Sequence, residues 1–249
     1  MLKRNLKLTL EYDGTDFKGW QIQKGSQRTV QGELEKALTT ILKEDVRVIG
    51  SGRTDTGVHA LGQTANFKTT SDKARAVILK ALNGNLPDDI AVINVEEVPS
   101  NFHAQYAVKS KTYRYTILNR FARSPFNQKY ALYFPYHLNL TAMRKEAKAF
   151  LGQHDFKSFQ GSNSSNKKKN TIRTIYRLEI TKRSDFITVE IEANGFLYKM
   201  VRNIVGALLK AGTGHLLRGS VKEILAKKNR RLRASPAKAC GLMLWKVKY

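Results

Sequence analysis

Asp55 stands between Arg53 and Gly57 in the stretch SGRTDTGVHALGQ, Ser51–Gln63, of a chain with 20 acidic residues against 44 lysines and arginines. A carboxylate in so basic a setting has few chemical uses. One is the aspartic-protease dyad, which shares the tripeptide Asp-Thr-Gly and needs two acids holding one proton between them. That motif is entered through two apolar residues, whereas Arg-Thr precedes Asp55. A nearby guanidinium lowers a carboxylate's pKa and keeps it ionised, which is the wrong state for a dyad. An ionised carboxylate, with a free-acid pKa of about 3.9, suits a nucleophile. The plain alternative is a turn, in which Asp and Gly cap a loop between two strands.

Two other groups stand out by position. In KTYRYTIL, alternation puts Tyr113, Tyr115 and Ile117 on one strand face, the pattern of core packing. In YKMVRNIVGALL, Phe196, Met200, Val201, Ile204, Val205, Leu208 and Leu209 form an apolar helix face, and Arg202 falls at its border beside Leu209. A charge half-sunk in a core needs a partner.

The elements that must position these residues follow from periodicity. The first half reads as a strand at Asn5–Tyr12, a helix at Thr29–Leu42, strands VRVIGS and GQTANFKT, a helix at Ser71–Leu82, a GNLPDD turn and the strand IAVINVEEV. The second half repeats the order: strand KTYRYTIL, a helix at Thr141–Leu151, strands TIYRLEITK and FITVEIEA, a helix at Phe196–Lys210 and a last strand GLMLWKVKY. A short basic helix is expected near Val221–Lys227. The fold class is therefore α+β: tandem ferredoxin-like βαββαβ units, forming a continuous, mostly antiparallel sheet around a central cleft. The expected division is 1–105, carrying the Asp55 loop, and 106–249, carrying basic insertions. GSNSSNKKKN, Gly161–Asn170, reads as a mobile loop with lysines for phosphate, and KKNRRLRASPAK, Lys227–Lys238, as a basic run before the last strand; each alone is equally well a solvated loop, and together with the total charge they favour an RNA or DNA footprint.

Composition limits the partners. A formal net charge of +24 over 249 residues creates a field that gathers polyanions. No apolar run approaches the roughly 18 residues of a membrane span, and the N-terminal MLKRNLKLTLEYDG turns polar too soon for a signal peptide, so a cytoplasmic protein with no membrane partner is expected. The single cysteine, Cys240, excludes an intrachain disulfide and a cysteine-pair zinc site. The five histidines lack the i, i+4 spacing of a helical metal pair, so no metal is expected.

GRTDTGVHALGQ resembles the catalytic motif of pseudouridine synthases, in particular those of the TruA family. The resemblance extends through LEYDGTDFKGWQIQ, TVQGELEKAL, NGNLPDDIAV, FHAQYAVKSKTYRYTI, FLYKMVRNIVGALL and SPAKACGLMLWKV, in the family's order and over nearly the whole chain. It implies isomerisation of uridine to pseudouridine in the anticodon arm of tRNA, at positions 38–40, without a cofactor, by a homodimer. The C1′–N1 bond breaks, the uracil turns over, and C5 bonds to C1′. On this resemblance Asp55 is the nucleophile. The choice between attack at C1′, attack at C6 and initial removal of a 2′ proton stays open. Arg53 matches the arginine that takes the place of the flipped nucleotide. Tyr113 matches the active-site tyrosine that stacks on the uracil and takes part in removing the C5 proton. Arg202 matches the arginine that holds the aspartate ionised. His59 also matches the motif but is given no role; it is as well explained by packing beneath the loop. Two other classes share the charge: a non-catalytic RNA-binding protein such as a ribosome-assembly factor, which has no use for Asp55, and a DNA-binding regulator, for which no helix-turn-helix or zinc-finger pattern is present.

Overall fold

The computed structural model describes residues 3–161, 170–216, 220–229 and 235–249. The lysine-bearing centre of the expected loop Gly161–Asn170 (162–169) and the centre of the basic run Lys227–Lys238 (230–234) lie outside the described residues. The chain forms two compact units: Met1–Lys109 with Met243–Tyr249, and Ser110–Leu242.

The first unit is a βαββαβ arrangement: β1 Arg4–Tyr12, α1 Val30–Leu42, β2 Ile49–Gly50, β3 His59–Thr69, α2 Arg75–Asn85 and β4 Ile90–Val98. Its strands run β4-β1-β3, antiparallel throughout. The free edge of β3 takes two partners: β2 antiparallel at Ala65 and Asn66, and the closing strand Leu242–Lys248 parallel at His59 and Ala60. Met243–Tyr249 of this last stretch fall in the first unit, where Met243 and Leu244 pair with β3, whereas chain order placed them in the 106–249 half. Leu6, Leu8 and Leu10 of β1 and Leu34 and Leu38 of α1 are fully buried, so alternation and the helical stripe meet in one core. Thr29 caps α1, its side chain accepting from Gly32 N–H at 3.2 Å, and Lys43 closes it in a left-handed conformation at φ 58°.

One expected strand is nearly absent. VRVIGS keeps only Ile49 and Gly50 in a sheet, although Val46 and Val48 are buried. The backbone of Val48 bonds to helix side chains instead: its N–H donates to Glu35 Oε1 at 2.9 Å and its carbonyl accepts from Gln31 Nε2 at 3.1 Å. The second helix starts at Arg75 rather than Ser71, since Ser71 N–H is taken by Thr69 Oγ1 and the Ser71 carbonyl by Arg4.

The second unit contains β5 Ser110–Leu118, β6 Leu132–Tyr133, α3 Leu140–Ala147, β7 Gly152–Asp155, β8 Ile172–Arg183, β9 Phe186–Ala193, α4 Met200–Gly212 and α5 Val221–Ala226. Its sheet runs β5-β9-β8-β7, antiparallel, with β6 added parallel to β5. Ile187, Val189 and Ile191 of β9 face the same core as Ile204, Val205 and Leu208 of α4, all with no exposed surface. Two short strands, β6 and β7, carry no alternation long enough to read in advance. α4 begins at Met200, four residues later than its apolar stripe, because Lys199 adopts φ 56° and interrupts the helix there. No described helix is long and apolar enough to cross a membrane.

Candidate active site

Asp55 lies half-buried in the loop between β2 and β3, and the loop is fixed from three sides. Its own turn is closed by Val58 N–H donating to the Asp55 carbonyl at 3.1 Å, with Gly57 at φ 74°. Thr54, on one side of it, is held by the Tyr12 hydroxyl, 2.8 Å from Thr54 Oγ1. The Thr54 carbonyl accepts from Trp20 N–H at 3.1 Å. On the other side, Gly52 carbonyl accepts from the buried Gln63 Nε2 at 3.0 Å, and Ser51 Oγ donates to Gln63 Oε1 at 2.7 Å. All these partners are buried, so the loop has little freedom to carry Asp55 elsewhere.

The segment Tyr12–Trp20 forms the matching wall. Phe17 and Trp20 are buried, and a Cβ on Gly19, itself at φ 96°, would lie 2.6 Å from the Thr54 carbonyl oxygen. Only glycine allows the two loops to approach this closely. The wall is anchored behind by Arg28, which grips Asp89 with two bonds of 2.6 and 2.7 Å and lies 4.2 Å from the Phe17 ring centroid. The hydrogen bonds to Asp89 raise the Arg28 pKa. His59, 2% exposed, does pack beneath the loop: Gly14 N–H donates to its Nδ1 at 3.0 Å, and Asp13 Oδ1 lies 3.0 Å from the same nitrogen. Residue type alone does not mark Tyr12, Thr54, Trp20 and Gln63 as site residues. The signal that points to Tyr12 and Trp20 is the glycine-aromatic spacing of YDGTDFKGW, which suits a tight wall better than an ordinary surface turn; Thr54 and Gln63 carry no comparable signal.

Arg53 is exposed, and among the described residues it makes no hydrogen bond or ion pair. Its guanidinium is thus available to an anionic or aromatic ligand.

The second unit fixes the other two candidates. Tyr113 lies on β5 opposite Ile191, 8% exposed, its ring meeting Phe196 edge-on at 5.1 Å and 87°. Tyr115, on the same face, is a core residue as alternation predicts: it has no exposed surface, its hydroxyl donates to the Lys238 carbonyl at 2.8 Å, and burial pushes its pKa up. Arg202 sits half-buried in the first turn of α4. Its Nε donates to the Ala237 carbonyl at 2.7 Å, and Ala237 N–H donates back to the Arg202 carbonyl at 3.0 Å. This reciprocal pair sets the plane of the guanidinium and ties SPAK to the helix. Asp55 and Arg53 are therefore positioned by the first unit, Tyr113 and Arg202 by the second.

Residues 9–107 and 147–249 match the family model described as tRNA pseudouridine synthase. Arg53, Asp55 and Arg202 fall inside the matched segments, and Tyr113 falls between them. The chain is 47% identical over 246 residues to tRNA pseudouridine synthase A of Thermoanaerobacter sp. (strain X514), covering 99% of this chain and 100% of the relative. It is 42% identical over 245 residues to tRNA pseudouridine synthase A 2 of Bacillus cereus (strain ZK / E33L), covering 98% and 99%. It is 44% identical over 246 residues to the A enzyme of Bacillus pumilus (strain SAFR-032), covering 98% of each chain. With both segments matched and relatives of this identity aligned from end to end, the chain belongs to the tRNA pseudouridine synthase family.

Proposed function

We propose that this protein converts uridine to pseudouridine in the anticodon arm of tRNA, with Asp55 as its nucleophile, acting in the cytoplasm as a homodimer. The observation that carries the assignment is the Asp55 loop itself: a carboxylate held by buried partners on both flanks, two residues from an exposed arginine with no ion pair among the described residues. Such rigidity is what attack on a reacting centre needs, because a near-attack geometry has to be kept within fractions of an ångström. The reaction moves one bond and exchanges no electrons: C1′ is released from N1 and joined to C5, C5 gives up a proton, and N1 gains one.

A stacked base cannot reach the loop, so the uridine flips out. Arg53 supports the emptied position, its flat guanidinium stacking on bases or pairing with phosphate. Tyr113 stacks on the uracil, its ring orientation set by Phe196, and its hydroxyl takes part in removing the C5 proton. Arg202 keeps the carboxylate ionised, its direction set by Ala237.

The test is an unmodified tRNA transcript incubated with the protein and no cofactor. Pseudouridine forms with the parent; Asp55→Asn, nearly isosteric but neutral, gives none, while tRNA binding is kept or slightly strengthened. Residual turnover above about a tenth of the parent rate refutes the nucleophile assignment. Sedimentation at twice the chain mass tests the homodimer.

A further inference from the structure

The far end of β3 from the Asp55 loop carries a second constellation. A depression of about 370 Å³ is lined there by Lys3, Arg47 and Lys68, with Asp45 as the one acid and Asn66 at its floor. None of the three cations makes an ion pair among the described residues. At its border His103 and Tyr106 stack with ring centroids 4.2 Å apart at 27°, and Tyr106 is 77% exposed. Gln105 and Tyr106 N–H groups donate to His103 Nδ1 at 3.2 and 3.4 Å, which leaves Nε2 as the ring's donor nitrogen.

The segment presenting this pair is built, not draped. Asn5 Nδ2 donates to the Pro99 and Phe102 carbonyls at 3.0 and 2.9 Å. Asn66 Oδ1 accepts from Ala104 N–H at 2.9 Å, and Asn66 Nδ2 donates to Asn5 Oδ1 at 2.9 Å. Both asparagines are 2% exposed. Tyr249 adds a third tie, its hydroxyl donating to the Ala104 carbonyl at 2.8 Å and its ring lying 5.0 Å from Phe102. Buried polar groups so fully satisfied hold an exposed aromatic pair in a fixed place beside uncompensated cations, the combination that tracks a nucleic-acid backbone and stacks a base.

We propose that this depression is a second tRNA-binding site, remote from the reacting uridine, in which Lys3, Arg47 and Lys68 hold substrate phosphates and Tyr106 stacks on an unpaired base. Nine residues of strand, about 30 Å, separate Lys68 from His59 at the start of the Asp55 side. The proposal rests on tRNA being the substrate. It gives part of the +24 charge a location and makes recognition depend on more of the tRNA than the arm that reacts.

The experiment measures filter binding of full-length tRNA and of a hairpin containing only the anticodon loop and its closing base pairs, with the parent and with Arg47→Glu/Lys68→Glu, two exposed positions. The affinity of the double variant for full-length tRNA falls at least tenfold, and its plot of log affinity against log salt becomes shallower by about two, as for two lost phosphates. Its hairpin affinity changes less than twofold. Tyr106→Ala weakens full-length binding roughly tenfold, and Tyr106→Phe restores it, because the ring and not the hydroxyl stacks. Unchanged full-length affinity, or equal losses on both RNAs, overturns the proposal. Pseudouridine formation by the parent reads the proposed activity separately: an inactive parent defeats that assignment, and the binding series still decides this one.

Discussion

At the scale of single residues, the site divides into groups proposed to touch substrate and groups that hold them. Tyr12 belongs to the second kind. Its hydroxyl is the partner of Thr54 Oγ1, and burial pushes its pKa up to about 12. Tyr12→Phe strands Thr54 Oγ1 in the core, so stability is expected to fall by about 1–3 kcal/mol and single-turnover conversion by several-fold, with tRNA affinity little changed; denaturant melts beside single-turnover assays check this. Tyr113 separates stacking from proton transfer. Tyr113→Phe keeps the ring, so binding barely changes, while the rate falls by about 10² or more if the hydroxyl takes the C5 proton. Tyr113→Leu loses the stacking surface too and weakens binding. Near-parental conversion by the Phe variant reduces Tyr113 to a platform, and parental behaviour by both returns it to core packing.

Among the elements, α4 is the one whose fit decides the site. Apart from Arg202 and Lys210 its residues are buried, and it approaches its neighbours through small side chains. A Cβ on Gly206 would come within 2.2 Å of the Ser235 carbonyl oxygen. Gly206→Ala therefore pushes the 235–238 segment off the helix and strains the Arg202–Ala237 pair. Turnover is expected to drop at least tenfold, with a melting temperature several degrees lower. Gly84, inside α2, is the control: an added Cβ meets nothing within 4 Å. Gly84→Ala is expected to stabilise by roughly 0.5–1 kcal/mol at unchanged turnover, since the helix gains propensity and loses no contact. Tolerance of the Gly206 change would show that close packing on α4 does not govern the site, and destabilisation by the Gly84 change would contradict the open space beside α2.

For the whole molecule, charge and burial make two predictions. If about five phosphates are contacted, log affinity for tRNA falls against log salt with a slope of roughly −4; a slope near zero would separate the +24 charge from RNA binding. Stability has an alkaline limit. Burial raises the pKa of Tyr12 to about 12 and also raises those of Tyr115 and Tyr249, whereas the unfolded chain releases these protons near pH 10. A raised folded-state pKa contributes stability fully below the unfolded value and loses it as pH climbs toward the folded one. Urea midpoints are therefore expected to hold up to about pH 10 and to decline between 10 and 12, less steeply in Tyr12→Phe. A midpoint flat across that window would contradict the buried-phenol account.

The sequence alone determined what periodicity and motif order can carry. Strict alternation marks β9 at both ends, because the strand has one face in the core and one outside. The apolar stripe of α1 is equally local. The family was legible because its motifs recur in order along nearly the whole chain, and with it the residues proposed for catalysis. Tertiary structure decided where hydrogen bonds go. Val46 and Val48 have the burial of a strand, yet Gln31 and Glu35 of α1 take the backbone groups of Val48 that a neighbouring strand would have used. The closing strand has the pattern of either half, and its three-dimensional neighbours, β3 and the Ala104–Lys109 stretch among them, group Met243–Tyr249 with the first unit. The partners that immobilise Asp55 come from Tyr12, Trp20 and Gln63, which are separated along the chain and carry no mutual periodicity. A one-dimensional pattern records which side of an element is buried, but the donor or acceptor waiting there is supplied by another part of the chain.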